Sequence, residues 1–367
     1  MKKRMLGKTG LKVTEIGVGC WAIGGPFINL GISGGWGNVS TKDAKQGLLE
    51  AVKMGANIFD TADVYGLGES ERLLGWLIEK CQNEGKKRED FVIVSKTGYF
   101  KGCASHGFDP LHMKHQLEMS LQNLKTKYID IYFFHHLDFG KNNKYLKGAL
   151  ERMKEFRRNG LVNFIGLRGP HKFSFYRGKN ANFKGDYDSF VKLAEIIEPD
   201  VISVRYNMIT PTYDKPESDI FKWAKEMGIG VLIYKPLGQG LLLDKYDPHR
   251  PPKFQIGDHR IRKAWFGEKG LTILKNRIAI IKERFGITTT KELVQLCIKY
   301  CLSRDDSACV LVGFKNKKQI AESLSTHGYL KKTDLEFIKN VFRGVSEEIG
   351  EFTNFKKEDK HATSVVF

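Results

Sequence analysis

The sequence lacks any apolar run of the roughly 18 residues that a membrane-spanning helix needs. Its basic start, Met1 to Arg4, leads into a turn and not into the apolar segment of a signal peptide. Six cysteines are spread over 367 residues and form no C-x-x-C pair, so neither a disulfide framework nor a zinc site is indicated. We therefore expect a cytoplasmic protein with no membrane partner and no bound metal.

Other absences exclude further classes of protein. Gly7-Lys8-Thr9 is similar to the end of a phosphate-binding loop, but the first glycine of that motif would stand at position 2, which is Lys2. No His-x-His pair opens the site of a metal-dependent hydrolase. Basic residues are scattered and no nucleic-acid module is present, so we expect no nucleic-acid partner. The formal net charge of +18 instead favours an anionic cofactor or substrate.

Short apolar runs alternate with segments of helical spacing along the chain. The helical spacing is clear at Met113, Leu117, Leu121 and Leu124. Eight runs are present, at 15–18, 56–59, 91–95, 129–134, 164–167, 201–204, 230–234 and 309–312. Eight strands that are each followed by a helix predict an α/β protein, a (β/α)8 TIM barrel. We expect one domain over 1–367, with the barrel at about 4–325 and a C-terminal helical extension at 326–367.

Additions to the barrel are also predicted. Turn residues at 7–10 indicate an N-terminal β-hairpin before the first barrel strand, which we expect to cover the barrel floor. Segments 24–40, 169–189 and 243–288 look inserted, and each follows a strand. Because barrel enzymes build their sites from such loops, these segments are candidates for substrate recognition, although a mere surface elaboration stays open as the alternative.

Polar side chains stand at the ends of successive strands. Asp60 closes the second strand, Tyr65 follows five residues later, and Lys96 and His135 close the third and fourth. A lysine ammonium favours the ionised form of a nearby tyrosine and a carboxylate orients the lysine, so we expect Asp60 and Lys96 to lower the pKa of Tyr65. A histidine at the same point orients a substrate oxygen. Each residue alone also has an ordinary structural explanation.

These residues lie in motifs that resemble the aldo-keto reductase superfamily. The specific matches are GANIFDTADVYG at 55–66 and GESERLLG at 68–75, with further matches at 92–96, 120–124, 128–135 and 236–242. The resemblance implies an NADP(H)-dependent oxidoreductase that reduces the carbonyl group of a small molecule, with Tyr65 as general acid and Asp60, Lys96 and His135 as its partners. His136 is a rival to His135, but the spacing of five residues from Asp130 favours His135.

The resemblance leaves the substrate and one alternative function open. Basic loops favour an anionic substrate such as a phosphorylated or nucleotide-linked sugar, although solvated side chains are a common reason for such clusters. The alternative is a cofactor-binding, redox-sensing regulatory subunit with little turnover. Oligomeric state is not indicated by the sequence.

Cofactor contacts are implied less directly. Tyr234 stands where the family stacks an aromatic ring on the nicotinamide, and the loop from Leu237 to Gly240 would pass the pyrophosphate. Lys315, with Lys318 as a second candidate, would face a 2′-phosphate, which favours NADP over NAD, although a surface charge run at the start of a helix stays open as the alternative. The sequence departs from the family at Arg168, where a serine is usual, and at Ser203, where a glutamine is usual. The full predicted set comprises Arg168, Ser203, Tyr234, Lys235, Leu237, Gly238, Gly240, Gly313, Lys315, Gln319, Glu322 and Ser323. Three explanations of Arg168 stay open. It could hold the nicotinamide amide by hydrogen bonds, or its charge could bind an anionic group of the substrate or the cofactor phosphates. In the third, the nicotinamide sits differently and catalysis is weakened.

Overall fold

Eight parallel strands close into a barrel in this computed structural model, which describes residues 1–170, 183–210 and 218–350. The strands are β1 (Lys3–Met5), β2 (Lys12–Thr14), β3 (Ile16–Gly19), β4 (Ile28–Asn29), β5 (Ile32–Ser33), β6 (Ile58–Asp60), β7 (Val92–Thr97), β8 (Ile129–Phe134), β9 (Val162–Arg168), β10 (Val201–Arg205), β11 (Gly230–Tyr234) and β12 (Cys309–Gly313). The barrel runs in the order β3, β6 to β12 and back to β3. The predicted (β/α)8 barrel is confirmed.

Helices surround the barrel and carry the caps that their sequences provide. They are α1 (Thr41–Lys53), α2 (Glu69–Asn83), α3 (Pro110–Leu124), α4 (Leu146–Arg158), α5 (Phe183–Ile197), α6 (Ile220–Met227), α7 (Glu268–Phe285), α8 (Thr290–Leu302), α9 (Lys317–Leu324), α10 (Lys332–Phe342) and α11 (Val345–Ile349). At the start of α8, Thr289 and Glu292 form a capping box. Asp109 caps α3, whose first residue is a proline.

The predicted N-terminal hairpin is present and closes the floor of the barrel. β1 and β2 pair antiparallel, and the fully buried Leu6 and Val13 pack against the residues that fill the barrel interior. Gly7 has φ of 56°, and a Cβ there would stand 2.3 Å from the backbone nitrogen of Gly230. Only glycine therefore allows this turn to lie against the start of β11.

Two of the predicted insertions meet over the mouth of the barrel. The first contains the short β4–β5 hairpin. Its Gly35 donates a backbone hydrogen bond to Gly257 O (2.8 Å) and accepts one from His259 N (3.0 Å). The segments 24–40 and 257–259 therefore form one backbone-bonded unit, which we call the mouth strap. The insertion predicted at 169–189 lies largely outside the described residues, since 171–182 are not among them.

The C-terminal helices brace the insertion that carries half of the mouth strap. Asp334 of α10 pairs with Arg284 of α7 at 3.3 Å, and Glu348 of α11 pairs with Arg277. Trp265, which follows the strap closely in the sequence, donates its indole N–H to Gly350 O at 3.2 Å. The predicted helical extension is thus present as far as 350, and its remainder, 351–367, lies outside the described residues. No described helix is both long enough and apolar enough to cross a membrane.

Candidate active site

The carboxyl ends of β6, β7 and β8 bring the four predicted catalytic residues together. Lys96 Nζ donates to Asp60 Oδ1 at 2.8 Å and to the carbonyl of Thr61. The same Nζ lies 5.0 Å from the ring centroid of Tyr65. The ring of His135 meets that of Tyr65 edge to face, with 5.6 Å between centroids. We call Asp60, Tyr65, Lys96 and His135 the tetrad.

The expected lowering of the Tyr65 pKa is wrong in direction. Burial raises the pKa of Tyr65 well above its usual value, and the Asp60 carboxylate raises it further. Lys96 is paired with Asp60, and burial lowers the pKa of Lys96 itself. The positive charge that lowers the pKa of Tyr65 is that of Arg168. Tyr65 is therefore a protonated phenol at neutral pH and is suited to donate a proton.

The two adjacent histidines face different surroundings. His136 Nε2 lies 3.0 Å from the carbonyl of Gly98, and its Nδ1 accepts from Asp138 N at 3.2 Å, so both ring nitrogens serve the backbone. His135 Nδ1 is buried with no hydrogen-bond partner among the described residues. Burial and then the Lys96 charge lower the pKa of His135 well below its usual value. The structure thus places a neutral His135, and not His136, against Tyr65.

Arg168 closes β9 and lies beside the tetrad. Its Nη1 donates to the hydroxyl of Tyr99 at 2.6 Å and to the carbonyl of His135 at 3.3 Å. Its Nη2 reaches the hydroxyl of Tyr234 at 3.4 Å. In the barrel register Arg168 pairs with Ser203 of β10, which is buried. A guanidinium therefore stands where the resemblance led us to expect small amide-binding groups.

The turn after β11 has an unusual backbone. Lys235 and Gln239 have φ of 61° and 63°, and Gly238 and Gly240 between and after them are also positive. Asn207 Nδ2 holds the carbonyl of Lys235 at 2.9 Å. Non-glycine residues at positive φ are costly and persist where the surrounding structure fixes them, often at ligand sites. The predicted residues Tyr234, Lys235 and 237–240 therefore form one continuous, strained rim of the mouth.

The predicted adenosine end lies where β12 leads into α9. The backbone N–H of Lys315 donates to Gln319 Oε1 at 2.9 Å. A Cβ on Gly37 of the mouth strap would stand 3.5 Å from Asp258 Oδ2, 3.6 Å from Arg260 Nη2 and 3.7 Å from Lys315 Nζ, so the Asp258–Arg260 ion pair and Lys315 all reach the strap. Gly313, the last residue of β12, is exposed. Ser323 is buried, and Glu322 lies 3.9 Å from the exposed Lys318.

Comparison with known proteins decides the family. A family model described as "Aldo/keto reductase family" matches residues 15–340 of the chain. The chain belongs to the aldo/keto reductase family. Proteins of this family are oxidoreductases that act on small-molecule carbonyl compounds and generally use NADH or NADPH.

Relatives of this aldo/keto reductase agree with that assignment. It is 26% identical over 325 residues to L-galactose dehydrogenase of Arabidopsis thaliana, covering 88% of this chain and 86% of that protein. Two solved structures share the fold at 18% identity. They are aldo-keto reductase AKR11C1 from Bacillus halodurans in its holo form (TM-score 0.65, covering 98% of this chain and 100% of that one) and glycerol dehydrogenase AKR11B4 from Gluconobacter oxydans (TM-score 0.69, covering 97% and 98%).

Several cations at the mouth of this aldo/keto reductase were not predicted from the sequence. Arg205 closes β10 and is buried at the mouth, so the strand-end criterion that selected Asp60 would have found it. Lys245, Arg260 and Lys263 come from the 243–288 insertion, where no pattern marks individual residues. Among the described residues, no group of three or more His, Cys, Asp or Glu side chains is arranged to hold a metal ion.

Proposed function

We propose that this protein is an NADP(H)-dependent oxidoreductase that reduces a carbonyl group to an alcohol with Tyr65 as general acid. The observation that carries the proposal is the tetrad, in which Tyr65 touches both the paired Lys96 and the neutral His135. The name of the Arabidopsis relative, a sugar dehydrogenase, agrees with alcohol–carbonyl chemistry. A carbonyl oxygen between Tyr65 and His135 would meet one proton donor and one orienting imidazole.

The residues of the tetrad would divide the work as follows. Tyr65 is protonated, because burial raises the pKa of its hydroxyl, and gives its proton to the oxygen of the substrate as negative charge develops there. His135 is neutral and holds that oxygen by a hydrogen bond. Arg168 would stabilise the phenolate that remains, because its charge lowers the pKa of Tyr65. When bound, NADPH supplies the hydride that reduces the carbonyl carbon and is itself oxidised to NADP+.

The donor groups at the mouth fit a dinucleotide with three phosphates. The strained turn at 237–240 and Lys235 would hold the diphosphate, and Tyr234 would border the nicotinamide. Lys315 and Lys245 would face the 2′-phosphate. Burial and then the charge of Arg260, which is itself paired with Asp258, lower the pKa of Lys245 to about 8, as expected for a cation close to other cations. This concentration of positive charge is the reason to propose NADP and not NAD.

The decisive experiment replaces Tyr65 and separates binding from turnover. Tyr65→Phe should lower kcat by at least about 100-fold for a panel of aldehydes while the Kd for NADPH, measured by fluorescence titration, changes little. Tyr329→Phe is the matched control, since its hydroxyl contacts Arg4 and Glu15 at the far end of the barrel. Surviving turnover in Tyr65→Phe would refute the assignment. Tight NADPH binding by an unmodified protein that reduces nothing would favour the regulatory alternative.

A further inference from the structure

Positive side chains converge at the ends of three adjacent strands. Arg168 closes β9, Arg205 closes β10, and Lys235 follows β11 directly; Arg205 stands opposite Tyr234 in the barrel register. Lys263 approaches from the insertion. Lys235 Nζ lies 4.9 Å from the ring centroid of Trp21 and 5.9 Å from that of Tyr234. Four partly or fully buried cations thus share one side of the mouth.

These cations disfavour one another. Burial and then the Arg205 charge lower the pKa of Lys235 well below its usual value. The same two causes, in the same order, lower the pKa of Lys263. Arg168 contributes to both shifts. A bound anion reduces the repulsion between like charges that are held together in a partly buried place, so this side of the mouth is complementary to negative charge.

Of these four cations, Arg168 donates a hydrogen bond to a member of the tetrad, at the His135 carbonyl. Its contacts are two phenols and one backbone carbonyl, all neutral, and they occupy at most three of its five N–H donors. None of the ion pairs found among the described residues involves it. The ring of its partner Tyr99 lies 4.6 Å from that of His135. A fixed positive charge with spare donors therefore stands beside the point where the substrate oxygen would be held.

We infer that Arg168 binds a carboxylate or phosphate of the substrate, so that the preferred substrates are carbonyl compounds bearing an anionic group near the carbonyl. The inference rests on the proposed function. Arg168 is held by Tyr99 and by the His135 carbonyl, beside the residues that would hold the substrate oxygen, whereas Lys235 lies over the ring of Trp21 and leads into the 237–240 turn that would hold the diphosphate. The anion that reaches Arg168 thus belongs to the substrate, and reduction of a 2-oxo acid would give a 2-hydroxy acid.

Two pairs of probes test this assignment, and they place the carboxylate at two different distances from the carbonyl group. One pair is phenylglyoxylate and its methyl ester, and the other is 4-carboxybenzaldehyde and its methyl ester. A charge-assisted hydrogen bond should favour the acid in at least one pair by about 10- to 100-fold in kcat/KM. Arg168→Leu should abolish that preference and Arg168→Lys should retain part of it. Arg158→Leu, which removes an exposed positive charge at the end of α4, is the matched control and should keep the preference.

The experimental results that would overturn the inference differ from those that would overturn the proposed function. Equal kcat/KM for acid and ester in both pairs, or an unchanged ratio in Arg168→Leu, refutes the substrate anion site while reduction by NADPH still stands. An Arg168→Leu variant that loses NADPH affinity as strongly as Lys235→Met assigns Arg168 to the cofactor instead.

A calorimetric measurement decides the matter if none of the four probes is reduced. Mandelate, titrated into protein saturated with NADP+, should then bind, and Arg168→Leu should weaken it by about tenfold or more. Mandelate that fails to bind, or binds both proteins equally, refutes the inference without any reference to turnover.

Discussion

The guanidinium of Arg168 donates a 2.6 Å hydrogen bond to the hydroxyl of Tyr99, whose ring packs 4.6 Å from that of His135. Through this contact a residue at the end of β9 is fixed beside residues from β6, β7 and β8. The charge of Arg168 is felt by Tyr65, because it lowers the pKa that burial and Asp60 raise. Under the proposed function, this one side chain would act on both the acid and the substrate.

The pH dependence of the reaction should show this effect. Tyr65 is protonated at neutral pH, so kcat for reduction of a neutral aldehyde should be flat from about pH 6 to 9, whereas alcohol oxidation needs the phenolate and should rise with pH. Arg168→Leu removes a charge that lowers the Tyr65 pKa, so the rising limb of oxidation should move to higher pH. The shift is measured by plotting kcat against pH for oxidation of an uncharged alcohol. A rising limb at the same pH in both proteins would show that Arg168 does not act on Tyr65.

Cofactor selectivity should depend on Lys315. Loss of a charged contact to a 2′-phosphate should raise the Kd for NADPH by about 10- to 100-fold in Lys315→Ala and leave the Kd for NADH nearly unchanged. Lys318→Ala tests the second candidate from the sequence and should change neither Kd by much, because the Lys318 side chain is 84% exposed. Fluorescence titrations with both nucleotides provide the comparison. Equal weakening of NADPH and NADH would remove Lys315 from the phosphate site.

The adjacent histidines should separate turnover from stability. His135→Gln should lower kcat by about 100-fold or more, since the orienting imidazole is lost, with little change in the free energy of unfolding. His136→Ala should lower the free energy of unfolding by about 2–4 kcal/mol, because Gly98 O and Asp138 N lose their buried partner. Burial lowers the pKa of His136 to about 4, so this contribution should persist throughout neutral pH. Urea unfolding and initial rates are measured on both variants. Loss of turnover in His136→Ala together with loss of stability in His135→Gln would show that the two roles are exchanged.

A buried ion pair at the other end of β8 should matter for stability alone. Asp130 accepts from Arg88 Nη2 at 2.8 Å and from Ile93 N at 2.9 Å. Asp130→Ala would leave a buried guanidinium without its carboxylate and should lower the free energy of unfolding by about 3–5 kcal/mol. Glu79→Ala, which breaks a half-exposed pair with Lys125, should cost less than about 1 kcal/mol. A large fall in kcat of folded Asp130→Ala would contradict the prediction that this ion pair matters for stability alone.

Much of the barrel could be predicted because its strands are buried on both faces. Such strands appear in sequence as short continuous apolar runs, and the run at 309–312 corresponds to β12 at Cys309–Gly313. The hairpin could be predicted from its turn glycines. The mouth strap could not, because Gly35 and Gly257 are more than 200 residues apart and the strands of the β4–β5 hairpin are two residues long. The assignment of all 367 residues to one domain stays a prediction.

The candidate site was predictable in its positions but not in its electrostatics. Strand ends and family motifs located Asp60, Lys96 and His135, which the structure brings together with Tyr65. The direction of the Tyr65 pKa shift could not be predicted, because it depends on burial, which a sequence does not report. Arg205 was not predicted, because the resemblance to the family points to Ser203, two residues earlier on the same strand.

The bracing of the 243–288 insertion by α10 and α11 links the far end of the chain to the mouth. Trp265 is anchored at Gly350 and α7 is tied to both terminal helices. During synthesis on a ribosome the barrel strands emerge long before these anchors do. The mouth would then reach its final form only after α10 and α11 have left the exit tunnel, which would delay cofactor capture until these helices have been made.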